Sequence, residues 1–250
     1  MVAGQRNTAD GVNVDVSMKI EIWSDVACPW CFIGKRRFES ALENFEHKDG
    51  VEVQWRSYQL DPSLPEQYDG SETEYLSQMK GMPEAQVRQM FDHVKTQAAG
   101  EGLAYDFDKV VVANSFTAHR FMHLAKEHGK MDAAKEALLS GHFEHGENIG
   151  DIDYLVRTGV VLGLDEAEVR GALEGDKYAA EVRADIAEAR ALGVTGVPFF
   201  VLDRKYGISG AQPAEVFAQA LRQAWGERSP LTVLSGTNDD GATCGPEGCN

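Results

Sequence analysis

Cysteine is scarce in this chain, at four among 250 residues. A chain of this length can bury a sufficient core without disulfide staples. Long apolar runs are missing too: no stretch approaches the roughly 20 residues of a membrane-spanning helix, so no membrane partner is expected. Basic charge is in deficit, with 24 Lys and Arg against 40 Asp and Glu and a formal net charge of −16. That balance argues against nucleic acid or an anionic lipid surface, which need a basic footprint. There is no low-complexity tract and no evident internal repeat. The opening stretch MVAGQRNTADGVNVDVS lacks the charged-then-apolar order of a secretory signal. Residues 1–17 therefore read as a flexible polar extension, and a cytoplasmic location is expected. In a reducing compartment, paired cysteines are more often catalytic or metal-binding than structural.

What is present is clearly periodic. KIEIWSD (19–25) alternates as a strand, with Ile20 and Ile22 on one face. Helical spacing follows from Pro29 through Phe32, Ile33, Phe38, Leu42 and Phe45, and VEVQWRSY (51–58) alternates again. Strand, helix and strand at this spacing predict a βαβ unit with a parallel pair. From Asp61 to about Gly193 the pattern is helical, with helices expected at 71–80, 83–99, 114–128, 131–145, 151–162, 165–174 and 176–192. Pro83 suits a first helical position, and Asp151 and Asp165 suit N-caps. FFVLD (199–203) and YGISG (206–210) then predict a hairpin about Arg204-Lys205. A last helix over 213–225 carries an apolar stripe of Val216, Phe217, Ala220 and Leu221. The order predicts an α/β fold split by a large all-helical insertion: a sheet domain from 18–60 and 194–226, a helical domain over 61–193, and a flexible tail over 227–250.

DVACPWCFIGKRRF (25–38) places Cys28 where a strand gives way to a helix. Backbone N–H groups and the positive helix end favour an anion there, so a depressed thiol pKa is expected at Cys28. Lys35, Arg36 and Arg37 are expected to add to that field. Cys31, one turn on, can close a disulfide, and Pro29 belongs in the first turn. Zinc binding completed by Cys244 and Cys249, or plain packing, are the competing readings. Against zinc, the tail pair lies in a Ser-, Gly- and Thr-rich stretch. The βαβ setting is also the one a cytosolic redox motif requires.

At EIWSDVACPWCFIGKRRFE, NSFTAHRFMHLA and GVTGVPFFVLDRKYGISGAQP the chain resembles the DsbA family of thiol–disulfide oxidoreductases, in its FrnE-like branch. The resemblance spans about residues 18 to 225 and implies a thioredoxin fold (βαβ…ββα) with an inserted helical domain. It further implies Cys28 and Cys31 as the catalytic dithiol, tuned by Pro29 and Trp30. Pro198 would be a cis-proline facing them, and Val197 would hold substrate through its backbone. Asn114, His119 and Arg120 belong to the shared helical motif. They could line a cleft between the domains, although a purely structural hydrogen-bonding role is preferred for His119.

CPWC replaces the histidine-containing dipeptide typical of periplasmic members, which leaves reductase and isomerase activity open beside oxidase activity. CGPEGC holds a candidate second redox pair, Cys244 and Cys249, able to relay electrons to the first. The function expected is exchange with protein or peptide disulfides, without a tightly bound cofactor or metal. Glutathione or a thioredoxin-like protein would be the external reductant. The alternative is a glutathione-dependent isomerase or transferase of the same fold acting on a small molecule, related to polyketide metabolism.

Overall fold

The computed structural model describes residues 17–228 together with 244–245 and 248–249. The extension over 1–16 and the side chains of Cys244 and Cys249 lie outside the described residues.

Four strands form the sheet: β1 (Met18–Ser24), β2 (Val51–Ser57), β3 (Phe199–Leu202) and β4 (Tyr206–Ser209). Their spatial order is β2-β1-β3-β4, with β1 parallel to β2 and antiparallel to β3, and β3 antiparallel to β4. Helix α1 (Pro29–Glu43) joins β1 to β2, and α9 (Ala214–Gly226) follows β4. Between β2 and β3 run seven helices. They are α2 (Glu72–Lys80), α3 (Glu84–Gly100), α4 (Phe116–Glu127), α5 (Met131–Ser140), α6 (Ile152–Val161), α7 (Glu166–Glu174) and α8 (Ala179–Ala191). The fold is the thioredoxin arrangement with an inserted helical region.

Local chemistry sets most helix ends. Asp151 accepts from the N–H groups of Asp153 and Tyr154, and Asp165 from that of Glu168, so both are the expected N-caps. Ser71 and Glu74 form a capping box at α2. Pro83 caps α3 and is not its first helical residue. The helix expected over 176–192 begins only at Ala179, because Tyr178 sits at φ 67°, in the left-handed region that ends regular helix. The hairpin turn also differs: β3 stops at Leu202, and Asp203 and Arg204 both take positive φ.

Period-two alternation in β1 divides the core. Ile20 and Ile22 face α1 and α9 in a cluster with Phe38, Phe200, Phe217 and Leu221. That cluster continues without a break into the helices through Phe121, Leu124, Leu138 and Leu155. Trp23 points the other way, onto Ala189 of α8, and its indole N–H donates to the Asp185 carbonyl. Phe217 and Leu221 anchor α9, each burial contributing roughly 1.5–3 kcal/mol. Val216, expected on that stripe, is 39% exposed. A third cluster joins Phe32 and Ile33 of α1 to Val87 and Phe91 of α3, fixing the helical region over the end of α1.

Candidate active site

Cys28 is the N-cap of α1, in extended conformation at φ −103°, ψ 114°. A residue before proline is driven to that region, and Pro29 then opens the helix at no hydrogen-bond cost. Both cysteines are free thiols. Cys28 is 4% exposed and Cys31 fully buried, which makes Cys28 the outer sulfur. The Cys28 thiol donates to the Val197 carbonyl at 3.5 Å. The Val197–Pro198 peptide bond is cis. Gly34 lets Pro198 sit against α1, since a Cβ at residue 34 would come within 2.8 Å of the Pro198 ring. The sequence thus brings Cys28, Cys31, Val197 and Pro198 together from segments far apart in the chain. Pro29 contributes its carbonyl to the Tyr105 hydroxyl at 2.7 Å, and the Trp30 ring lies 5.9 Å from that of His93.

The ionisation of the pair departs from the sequence expectation. Cys28 is pushed up, by its hydrogen bond to Cys31, by burial, and by the charges of Cys31 and Asp25. Burial also acts to raise Cys31, yet the Cys28 thiol hydrogen bond and the charge of Lys135 hold it below the usual thiol range. The pair therefore keeps its first negative charge on the inner sulfur. The helix end alone favours charge on the outer sulfur, and the buried partner three residues on reverses that order.

The supporting cation is also not the expected one. Lys35 is buried against Glu39, Glu136 and Asp132, Arg36 binds Glu136, and Arg37 holds Glu101, Gln97 and the Ala211 carbonyl. Their charges are matched by local acids. Lys135 of α5 is fully buried, its Nζ has no hydrogen-bond partner, and burial brings its pKa down to about 8. The acid of the site is Asp25, between β1 and α1. It accepts from the Leu60 N–H at 2.8 Å and meets His119 Nε2 at 3.2 Å. Burial acts to raise its carboxyl, but His119 and Leu60 outweigh that and hold it below the ordinary range.

Asp25 and Lys135 escaped the sequence reading. A signal for Lys135 was present: it occupies the apolar stripe of α5 with Met131, Leu138 and Leu139.

The three residues of the shared helical motif separate. His119 is buried beneath the site, but neither it nor Asn114 nor Arg120 lines the cavity beside Cys28. Asn114 ties loops together, accepting from Gln59 and Phe116 and donating to the Leu64 carbonyl. Arg120 donates to carbonyls of Ala172, Leu173, Gly175 and Lys177, where α7 ends. His119 and Asn114 thus bond across to Asp25 and Gln59 of the sheet-bearing segment, as the hydrogen-bonding role expected of His119 requires, whereas Arg120 bonds within the helical region.

That cavity, of about 410 Å³, is bounded by Cys28, Trp30 and Val197 on one side and by residues of α2 and α3 on the other. Among the described residues there is no group of three or more His, Cys, Asp or Glu arranged to hold a metal. No helix of the described residues is long and apolar enough to cross a membrane. Two short strands, β5 (Cys244–Gly245) and β6 (Gly248–Cys249), pair antiparallel with Cys244 opposite Cys249.

Residues 19–222 match the model of the DSBA-like thioredoxin domain. The chain is 49% identical to a probable DsbA oxidoreductase from Streptomyces coelicolor, whose crystal structure superposes with a TM-score of 0.85 over 93% of this chain and 98% of that one. An uncharacterized protein of Bacillus subtilis, YwbO, is 31% identical over 212 residues, covering 82% of this chain and 96% of that protein. The cytosolic disulfide reductase DsbM from Pseudomonas aeruginosa, in a structure with GSH, is 18% identical with a TM-score of 0.59, over 82% and 98% of the two chains. At that identity the likeness is one of fold.

Proposed function

Because the chain belongs to the DSBA-like thioredoxin domain family, we propose that it is a cytoplasmic thiol–disulfide oxidoreductase, of the FrnE-like branch, acting on protein or peptide disulfides through Cys28 and Cys31. The observation that carries this reading is the outer thiol of Cys28 against the Val197 carbonyl, with a second free thiol, the fully buried Cys31, behind it. Cys28 attacks one sulfur of a substrate disulfide while its proton passes to Cys31. The substrate S–S bond breaks, one substrate thiolate leaves, and a mixed disulfide forms on Cys28. Cys31 then loses its proton toward Asp25, with the Lys135 cation favouring the thiolate, and attacks the Cys28 sulfur, closing the Cys28–Cys31 disulfide and releasing the second substrate thiol. The substrate gains two electrons and one proton from the pair, and its second proton from solvent. An external thiol, glutathione or a thioredoxin-like protein, returns the pair to the dithiol state. Reversal oxidises a dithiol, and release after pairing a different substrate thiol amounts to isomerisation.

Val197 holds the substrate backbone beside Cys28, with Pro198 fixing its carbonyl. The helical domain over 61–193 covers the thioredoxin-like domain of 18–60 and 194–226, and substrate enters at their junction. Cys244 and Cys249 form the second redox pair, and their opposed strands suit closure of a disulfide between them.

A glutathione-dependent isomerase needs one bound thiol. A second free thiol one helical turn from the first favours dithiol exchange. The test is Cys31→Ser with a peptide disulfide: intact mass should show a stable mixed disulfide on Cys28, absent in Cys28→Ser. Full turnover by Cys28→Ser would overturn the mechanism.

A further inference from the structure

The mechanism leaves one half-buried carboxyl at the site without work. Glu72, at the first turn of α2, lines the cavity that Cys28 and Val197 also line. Its Oε2 is shut from solvent and has no hydrogen-bond partner. Burial alone pushes its carboxyl up to about 8. The other two acids on the cavity differ: Asp25 accepts from the Leu60 N–H and meets His119, and Asp61 accepts from the Tyr75 hydroxyl at 2.5 Å and from the N–H and hydroxyl of Ser63. The rest of the wall on this side is apolar, with Leu76 from α2 and Met90, Phe91 and Val94 from α3.

An unmatched buried acceptor destabilises the free protein and is expected to matter where a donor arrives. An apolar wall ending in a carboxyl suits a side chain with a hydrocarbon stem and a cationic tip. At about 410 Å³ the cavity is large enough for such a side chain. The formal net charge of −16 draws the same class of partner toward the surface. A glutathione disulfide fits poorly, since its carboxylates would face Asp25 and Asp61.

Resting on the dithiol reading above, we propose that this cavity is the subsite for a lysine or arginine neighbouring the disulfide of a peptide or protein substrate, with the cation against Glu72. On binding, the cation displaces the carboxyl proton to solvent and leaves a buried ion pair.

The experiment compares three peptide disulfides that differ only beside the cysteine: lysine, norleucine or glutamate. For the wild-type protein, kcat/KM for lysine should exceed that for norleucine about tenfold, with glutamate poorest. In Glu72→Gln the lysine-to-norleucine ratio should fall to near one. The same three sequences carrying S-methylcysteine, which cannot exchange, read the cavity by calorimetry on the wild-type protein without any redox step. Lysine-selective binding of these thioethers supports the subsite even if no disulfide turns over, the outcome that would sink only the dithiol reading. Turnover of all three disulfides at equal kcat/KM, or a lysine preference that persists in Glu72→Gln, overturns the subsite and leaves the dithiol reading intact. Glutathione disulfide turned over faster than the lysine peptide also overturns it.

Discussion

Helix α4 carries two histidines one turn apart, and each meets a buried aspartate: His119 reaches Asp25 at 3.2 Å and His123 reaches Asp185 at 3.1 Å. The surroundings of the two pairs are opposite. Asp185 also accepts from Arg56 at 3.0 Å and from the Ser57 N–H at 2.9 Å, and Arg56 continues to Glu21, which Arg204 closes from its other side. That network is matched charge for charge and ties α8 to β1 and β2. Around Asp25 the buried Ser24 Oγ, His119 Nδ1 and Lys135 Nζ stand without hydrogen-bond partners, and two thiols lie close by. Matched polar groups hold a structure in one state, whereas unmatched ones keep charge available to groups that change state. The His123–Asp185 pair belongs to stability and the His119–Asp25 pair to reactivity.

Substitutions can break this contrast at either end. The largest effect is expected from Asp185→Ala, which takes the acceptor from buried His123 and the Ser57 N–H and leaves Arg56 to Glu21. It should cost roughly 3–5 kcal/mol in urea denaturation, while the rate of Cys28 alkylation in the folded protein stays the same. Lys135→Met should do the reverse. It removes the cation beside Cys31, and the pair should become about tenfold slower to alkylate with iodoacetamide near neutral pH. Its stability should be unchanged or raised, because an unpaired buried lysine is replaced by an apolar chain.

Asp25→Asn should act on the thiols with the opposite sign and less force. Loss of its negative charge eases ionisation, moving the alkylation profile to lower pH, while resolution of the mixed disulfide slows. The smallest effect sits on the acid side of the stability curve. Asp185 titrates below its unfolded range, because His123 and Ser57 outweigh the burial that would raise it. Its contribution is therefore complete above about pH 4 and is lost as pH falls through the folded value. Denaturation midpoints measured from pH 6 down to pH 3 should fall less steeply in Asp185→Asn than in the native protein.

Much of this frame was legible in sequence. Period two in 19–24 and 51–57, period 3.6 across the helical block, and caps at Asp151 and Asp165 placed the strands and helices within a few residues. CPWC and GVP marked the cysteines and the cis-proline. The ionisation pattern was not legible, because it depends on contacts across long separations: Asp25 with residue 119, and the thiols with Lys135. Charge in the motif itself misled, since Lys35, Arg36 and Arg37 find carboxylates nearer than the sulfurs. Polar residues on apolar stripes were the usable clue. Lys135 is one, and Asp185, between Val182 and Ala189 on α8, is another.

The pairing of β1 with β3, Ile20 against Leu202 and Trp23 against Phe199, sets a timetable for the growing polypeptide. Synthesis delivers Cys28 and Cys31 early, Lys135 midway, and Val197 with Pro198 near the end. A ribosome-bound intermediate lacking β3 has the thiols but neither the Val197 carbonyl that faces Cys28 nor the strand that closes the sheet, and long-range pairing of this kind forms slowly. Until then the nascent thiols have the acidity of unfolded cysteines. The pair acquires its unequal ionisation only once α5 has docked, and its substrate ledge is the last part to arrive.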